Sequence, residues 1–241
     1  MHSFNFAIVT AWALGLTSIM FGSTLIADDL FEELDQYVEQ RLTEFDQIPI
    51  ERQTQLNKLT SYIRARQASD LPVKMTFICT HNSRRSHMCQ LWSAVAAHYF
   101  DVESYQSFSG GTEATAFNPR AVAALNRTGM NIELNQPGSN PVYVVRFSKA
   151  SPVQSCFSKI YDSPPNPSSE FCAVMTCSSA DKSCPEVQGA QLRVAIPYED
   201  PKIADGTPEE SQAYDNRSAQ IAREMLYVFA QLKNDNSNVG K

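Results

Sequence analysis

The sequence predicts an α/β fold in which helices cover both faces of a parallel sheet. From residue 73 onward, short apolar runs alternate with stretches of helical periodicity, and no internal repeat interrupts the pattern. The composition agrees: 43% hydrophobic and 19% charged residues over 241 positions suit a globular chain with a sizeable core. A net charge of −6 argues against a nucleic-acid binder, which shows a basic excess. Six cysteines over this length are too sparse for a disulfide-built miniprotein, so each is read by its neighbours.

Taken in order, residues 1–27 hold no Asp, Glu, Lys or Arg, and charge begins at Asp28. This segment reads as a signal peptide or a membrane anchor, which places the protein in the periplasm or at a membrane. Its start has no Lys or Arg, and Leu25 is large for the third residue before a cut after Ala27. A start codon assigned too early is the alternative, and it leaves the protein cytoplasmic. Residues 28–70 form a helical N-terminal extension. Leu30, Phe31, Leu34, Tyr37, Val38, Leu42 and Phe45 recur at helical spacing, Pro49 marks a break, and Leu56, Leu59 and Ile63 continue in a second helix. Neither helix arranges residues for chemistry; the expectation is a hairpin packed on the next domain, with dimerisation or partner binding as the sharper option.

Residues 73–235 predict the catalytic domain. Val73 to Cys79 suits a buried strand, and residues 86–100 a helix with Met88, Leu91, Trp92, Val95 and Tyr99 on one face. A strand over 102–109 runs into Gly110 and Gly111; a helix over 118–127 has Pro119 in its first turn. Further strands are expected over 142–147, 171–176 and 192–197. Thr207, Pro208, Glu209 and Glu210 read as a capping box opening a last helix that buries Tyr214, Ile221, Met225 and Phe229. Residues 236–241 form a flexible tail. In such a sheet, ligands sit at the carboxyl ends of the strands.

The segment Cys79, Thr80, His81, Asn82, Ser83, Arg84, Arg85, Ser86 carries the chemistry. A cysteine leaves a buried strand, five residues follow, and an arginine opens a helix. The loop's N–H groups then form an anion cradle at a positive helix end, and the same field makes Cys79 a nucleophile at neutral pH. Arg85 can clamp two oxygens of a tetrahedral oxyanion, Ser86 can donate to the thiolate, and Asn82 tolerates a left-handed backbone. His81 and Arg84 add cationic capacity. A strand-ending cysteine is often inert core, but strand, loop, helix and the serine after the arginine favour the functional reading. Asp200 stands in an Asp-Pro pair after the last strand, which by itself is also a common turn.

Residues 73 to 86, Val-Lys-Met-Thr-Phe-Ile-Cys-Thr-His-Asn-Ser-Arg-Arg-Ser, resemble the active-site loop of the low-molecular-weight protein tyrosine phosphatases. They resemble equally that of the related thioredoxin-coupled arsenate reductases. The resemblance spans roughly 73–235 and implies a flavodoxin-like four-stranded parallel sheet, oxyanion binding by Thr80 through Ser86, and Asp200 as general acid. The stretch from Ala173 through Cys177 to Cys184 and Pro185 resembles the redox helix of the arsenate reductases. That implies a relay in which Cys79 attacks arsenate, Cys177 resolves the adduct, and Cys184 forms a disulfide with Cys177 that thioredoxin reduces. The expectation is therefore a thiol-dependent arsenate reductase with no bound cofactor and an external thiol reductant. The alternative is a protein tyrosine phosphatase or small phosphomonoesterase working through a cysteinyl-phosphate; a third reading is a non-catalytic oxyanion or redox sensor.

The cysteine pair has other readings. Zinc lacks a second pair or a nearby histidine to complete its ligands; a structural disulfide fits an exported protein; idle thiols fit a phosphatase. Reductase loops commonly carry Gly at His81 and Cys at Arg84, as phosphatase loops do, so these departures favour neither family. The glutamate that helps bind potassium in some arsenate reductases falls at Gln90, so neither that ion nor another metal is expected. Lys202 through Thr207, rather than adjacent tyrosines, follow the Asp-Pro pair, which weakens the phosphotyrosine reading. Cys89, Cys156 and Cys172 have no assigned role, and His87 and His98 read as packing or surface residues. Export conflicts with a cytosolic thioredoxin partner.

Overall fold

The computed structural model describes residues 30–234. The segment 1–27 and the tail 236–241 lie outside them. In chain order the elements are α1 (Glu32–Leu42), α2 (Ile50–Ala68), β1 (Val73–Cys79), α3 (Arg85–Tyr99), β2 (Tyr105–Gly111), α4 (Pro119–Asn126), β3 (Asn131–Gln136), β4 (Val142–Arg146), β5 (Gln154–Cys156), β6 (Phe171–Met175), α5 (Ser178–Ser183), β7 (Ala190–Ala195) and α6 (Glu210–Asn234). No helix among the described residues is long and apolar enough to cross a membrane.

Four strands form a parallel sheet in the order β2-β1-β6-β7. This is the flavodoxin-like arrangement that the loop motif implied. β1 and β6 sit in the middle, and their apolar residues are buried because helices cover both faces. β2, the next strand of the chain in this sheet, lies on one side of β1 and β6 on the other, which opens a crevice at their carboxyl ends. α3 is buried along nearly its whole length, between the sheet and α6.

α1 and α2 each pack against α6, and α2 also touches β7 and β1. Leu34, Val38, Leu56, Leu59 and Ile63 are fully buried in the same cluster as Phe77, Trp92 and Phe229. Burial of side chains of this size is worth about 1.5–3 kcal/mol each. The N-terminal extension therefore closes the core of the α/β domain.

Two expectations need correction. The strand expected over 142–147 leaves the parallel sheet; as β4 it lies between β3 and β5 in a separate antiparallel sheet. Only Val145 of β4 is fully buried, too little for a strand covered on both faces. The last helix starts at Glu210, not at Thr207. Its Glu210 carboxylate accepts from the N–H of Gly206 at 2.6 Å, while the Thr207 hydroxyl accepts from Glu209 N at 3.3 Å. Residues 207–209 are thereby held as a turn.

Candidate active site

The carboxyl ends of β1, β6 and β7 deliver the residues singled out in the sequence to one place. β1 ends at Cys79. Beyond the register pair Ile78–Met175, Thr176 N donates to Ile78 O at 2.7 Å, so Cys177 emerges beside the start of the loop. β7 continues through Ile196 N to Met175 O (2.9 Å) and Tyr198 N to Thr176 O (3.1 Å), which carries Asp200 to the same edge.

The loop from Cys79 to Ser86 is tied down at almost every residue. The Cys79 sulfur lies 3.1 Å from the Ser86 hydroxyl, which accepts from Asn82 Nδ2 at 2.9 Å. Asn82 is fully buried with φ +43°, a left-handed conformation that asparagine adopts at small cost, and its Oδ1 accepts from the Lys159 N–H at 2.9 Å. The carbonyl of His81 accepts from the Ser158 hydroxyl at 2.9 Å and the Thr115 hydroxyl at 3.1 Å. Glu113 N donates to Thr80 O at 2.8 Å, and Asn118 N to Ser83 O at 2.9 Å. Gly111 makes this close packing possible. A Cβ there would stand 2.3 Å from Glu113 O and 2.7 Å from both Asn82 N and Thr80 O.

Arg85 opens α3, whose N-terminus has no side-chain cap among the described residues, so first-turn N–H groups remain at the loop. Its Nη2 donates to Asp200 Oδ2 at 2.6 Å and its Nη1 to Tyr198 O at 2.9 Å; its Nε is buried with no partner among the described residues. Asp200 also accepts from Lys202 N at 3.2 Å as it caps the short 3-10 turn Pro201–Ala204. A cavity of about 10 Å³, the space of one water, is lined by Cys79, His81, Ser83, Arg84, Arg85 and Asp200. Arg84 reaches outward: its Nε donates to Tyr214 Oη at 2.8 Å, and Tyr214 donates to Asp205 at 2.8 Å. Burial pushes the Tyr214 phenol up to about 12, so it stays protonated and donates across the neutral range.

The cysteine pair brackets α5. Cys177 is its N-cap, with the sulfur accepting from Ala180 N at 3.4 Å and lying 3.5 Å from the Thr80 hydroxyl; Cys184 is its C-cap. Cys79 and Cys177 belong to one buried cluster, against which the partly exposed Cys184 packs. All six cysteines are free thiols. Arg193 holds the far end of α5, donating to Cys184 O at 3.0 Å, Asp181 O at 2.7 Å and Asp181 Oδ1 at 2.6 Å.

Cys89, Cys156 and Cys172 are buried away from this cluster, and burial raises each thiol, with Cys156 pushed up to about 12. His87 is a packing residue: it stacks on Phe117 at 4.0 Å and contacts the Ser109 hydroxyl at 3.2 Å. Among the described residues, no group of three His, Cys, Asp or Glu side chains is arranged to hold a metal. Sequence reasoning missed Ser158 and Lys159, Tyr198, and Arg193. Only Tyr198, two residues before Asp200, had a signal near a recognised motif.

A Cys-x5-Arg-Ser loop at the crevice of the parallel sheet β2-β1-β6-β7, with Asp-Pro after the last strand, defines the class: an enzyme of the superfamily of low-molecular-weight protein tyrosine phosphatases and arsenate reductases. No protein-family model matches the chain. Over 155 residues it is 30% identical to the arsenate reductase of Bacillus subtilis (strain 168), covering 64% of this chain and 93% of that one. The arsenate reductase of Halalkalibacterium halodurans is 28% identical over 155 residues, with the same two shares, 64% and 93%. Among solved structures, the low molecular weight protein tyrosine phosphatase from T. tengcongensis aligns with a TM-score of 0.45 at 17% identity, covering 66% of this chain and 99% of that one. Within the superfamily, the chain belongs to the arsenate reductase family.

Proposed function

We propose that the chain is a thiol-dependent arsenate reductase in which Cys79, Cys177 and Cys184 act in succession. One observation carries this reading: the free thiols of Cys79 and Cys177 are buried together just past adjacent strand ends, and the free thiol of Cys184, at the far end of α5, packs against them partly open to solvent. A phosphomonoesterase needs Cys79, Arg85 and Asp200 but has no use for the other two. The relatives named arsenate reductase support the same choice.

In this reading the Cys79 thiolate attacks the arsenic of arsenate held by the loop and Arg85. Asp200 relays a proton from the bound oxyanion to the departing oxygen, which leaves as water and gives a Cys79–arsenic(V) adduct. The Cys177 thiolate then attacks the Cys79 sulfur. A sulfur–sulfur bond forms, the sulfur–arsenic bond breaks, and its electron pair stays on arsenic, which departs as arsenite. Cys184 attacks Cys177, frees the Cys79 thiolate and leaves a Cys177–Cys184 disulfide. An external dithiol of the thioredoxin class returns the two electrons. Exposure suits this order, because the last disulfide includes the sulfur nearest solvent.

The test is arsenate-dependent NADPH consumption coupled through thioredoxin and its reductase. Cys79→Ser and Cys177→Ser are expected to abolish turnover, while Cys184→Ser makes one arsenite per enzyme and stops. Unchanged multiple turnover in Cys177→Ser and Cys184→Ser would refute the relay. If aryl phosphate hydrolysis replaces arsenate reduction and ignores Cys177, the protein is a phosphatase.

A further inference from the structure

The helices before the sheet carry no residue that reads as chemical in the sequence, yet one of their side chains reaches the segment that holds Arg85. Arg52, on α2, donates through Nε to Glu224 Oε2 at 2.9 Å, with Nη2 2.8 Å from the same oxygen. Glu224, on α6, is 3% exposed, and its other oxygen accepts from Gln220 at 3.1 Å. The same Arg52 guanidinium lies over the ring of buried Tyr198, 4.7 Å from its centroid. Burial and the Glu224 charge raise the Tyr198 phenol, keeping it neutral beneath the cation.

Tyr198 is where this cluster meets the active site. Its N–H donates to Thr176 O at 3.1 Å, its carbonyl accepts from Arg85 Nη1 at 2.9 Å, and two residues on Asp200 takes the other arm of the same guanidinium at 2.6 Å. The Tyr198 backbone thus sets the direction of Arg85, and Arg52 clamps the Tyr198 side chain. We infer that Arg52 is a positioning residue of the active site, fixing through Tyr198 the carbonyl that holds Arg85 beside Asp200. This rests on the reading of the Cys79 loop and Arg85 as an oxyanion site. It gives the N-terminal extension a part in catalysis besides closing the core. An arginine suits the place because it can pair with a carboxylate and lie flat on an aromatic ring together, which lysine does not reproduce.

The experiment measures how well inorganic phosphate protects Cys79 from alkylation by iodoacetamide, read on the Cys79 peptide by mass spectrometry. It uses the wild type, Arg52→Lys, and the charge-neutral pair Arg52→Met with Glu224→Gln, which avoids stranding a buried carboxylate. The phosphate needed for half-protection is expected to rise about tenfold in the double variant, as when one charge-assisted hydrogen bond is weakened, and by a smaller factor in Arg52→Lys. A role confined to core packing lowers the melting temperature and leaves the phosphate requirement where it was; that result overturns the inference. Should the double variant fail to fold, Arg52→Lys decides, and an unchanged requirement there overturns it equally. No protection in the wild type overturns the oxyanion-site reading and this inference with it, whereas protection that is equal in wild type and variants overturns this inference alone.

Discussion

The loop after β1 and the segment after β6 start from neighbouring strands and are held in opposite ways. The loop from Cys79 to Ser86 is braced from four parts of the chain: residues 112–118, Ser158 and Lys159, the first turn of α3, and the Tyr198–Asp200 stretch. The segment from Cys177 to Cys184 carries a six-residue helix, and beyond it only one side chain, Arg193, ties down the carbonyls of Asp181 and Cys184 among the described residues. A loop that binds a tetrahedral anion gains from arriving already ordered, because the ordering entropy is met during folding. The relay proposed for Cys177 and Cys184 asks the opposite of its segment, because each thiol there would have to reach more than one partner.

The strongest way to break the contrast is to disorder the stiff half. Gly111→Ala places a Cβ within 2.7 Å of Asn82 N and Thr80 O and 2.3 Å from Glu113 O, all backbone atoms that cannot swing aside. The loop must shift, and a displacement near 1 Å at a catalytic loop costs about 100-fold in rate. We expect kcat/KM for arsenate to fall by about that factor while circular dichroism still reports a folded α/β domain. Activity within twofold of wild type would show that the loop tolerates displacement and that its bracing is incidental.

A smaller effect distinguishes the two halves through pH. His87 lies one turn into α3 behind the loop, fully buried, and burial together with the nearby Lys159 charge depresses it well below 6.5. The folded protein keeps this imidazole neutral, whereas the unfolded chain takes up a proton below about pH 6.5. Stability is therefore fully present above that pH and is lost as pH falls, by about 1.4 kcal/mol per pH unit from this one group. Urea midpoints between pH 7 and 5 should show this slope in the wild type and lack that part of it in His87→Phe. Equal slopes would mean that His87 is protonated in the folded state.

What could be read beforehand follows from how each residue acts. Cys79, Arg85 and Ser86 lie within one contiguous motif, and the β1 boundaries are the ones the apolar run marks. Cys177 and Cys184 were visible as a spaced pair. The supports were not. Ser158 and Lys159 act on loop residues 77 positions away, one of them through its backbone N–H, which every residue except proline possesses. Arg193 grips two carbonyls and one carboxylate, and nothing around it marks it off from a surface arginine. The same limit applies to the fold. The apolar residues of β4 identify a strand, but which sheet it joins depends on β3, whose Asn131, Glu133, Asn135 and Gln136 give no strand signal.

The last prediction concerns the α5 segment, where the expected sign is reversed. Arg193 and Asp181 are both partly solvent-exposed, at 24% and 33% of their side chains, so solvent screens the pair. Removing it in Arg193→Ala should cost at most about 1 kcal/mol of stability. The kinetic consequence is larger than the thermodynamic one. Without three hydrogen bonds from one side chain, the carbonyls of Asp181 and Cys184 lose their fixed partner, and the short helix, far below the length at which helices hold themselves, opens more often. Alkylation of Cys184 should then speed up severalfold in Arg193→Ala, and the Cys177–Cys184 disulfide should form faster in single-turnover experiments. An unchanged alkylation rate would mean that α5 is held by its buried face, through Ala180, and not by the arginine. A slower relay would mean that Arg193 steers Cys184 toward Cys177, which would make both strand ends devices of positioning.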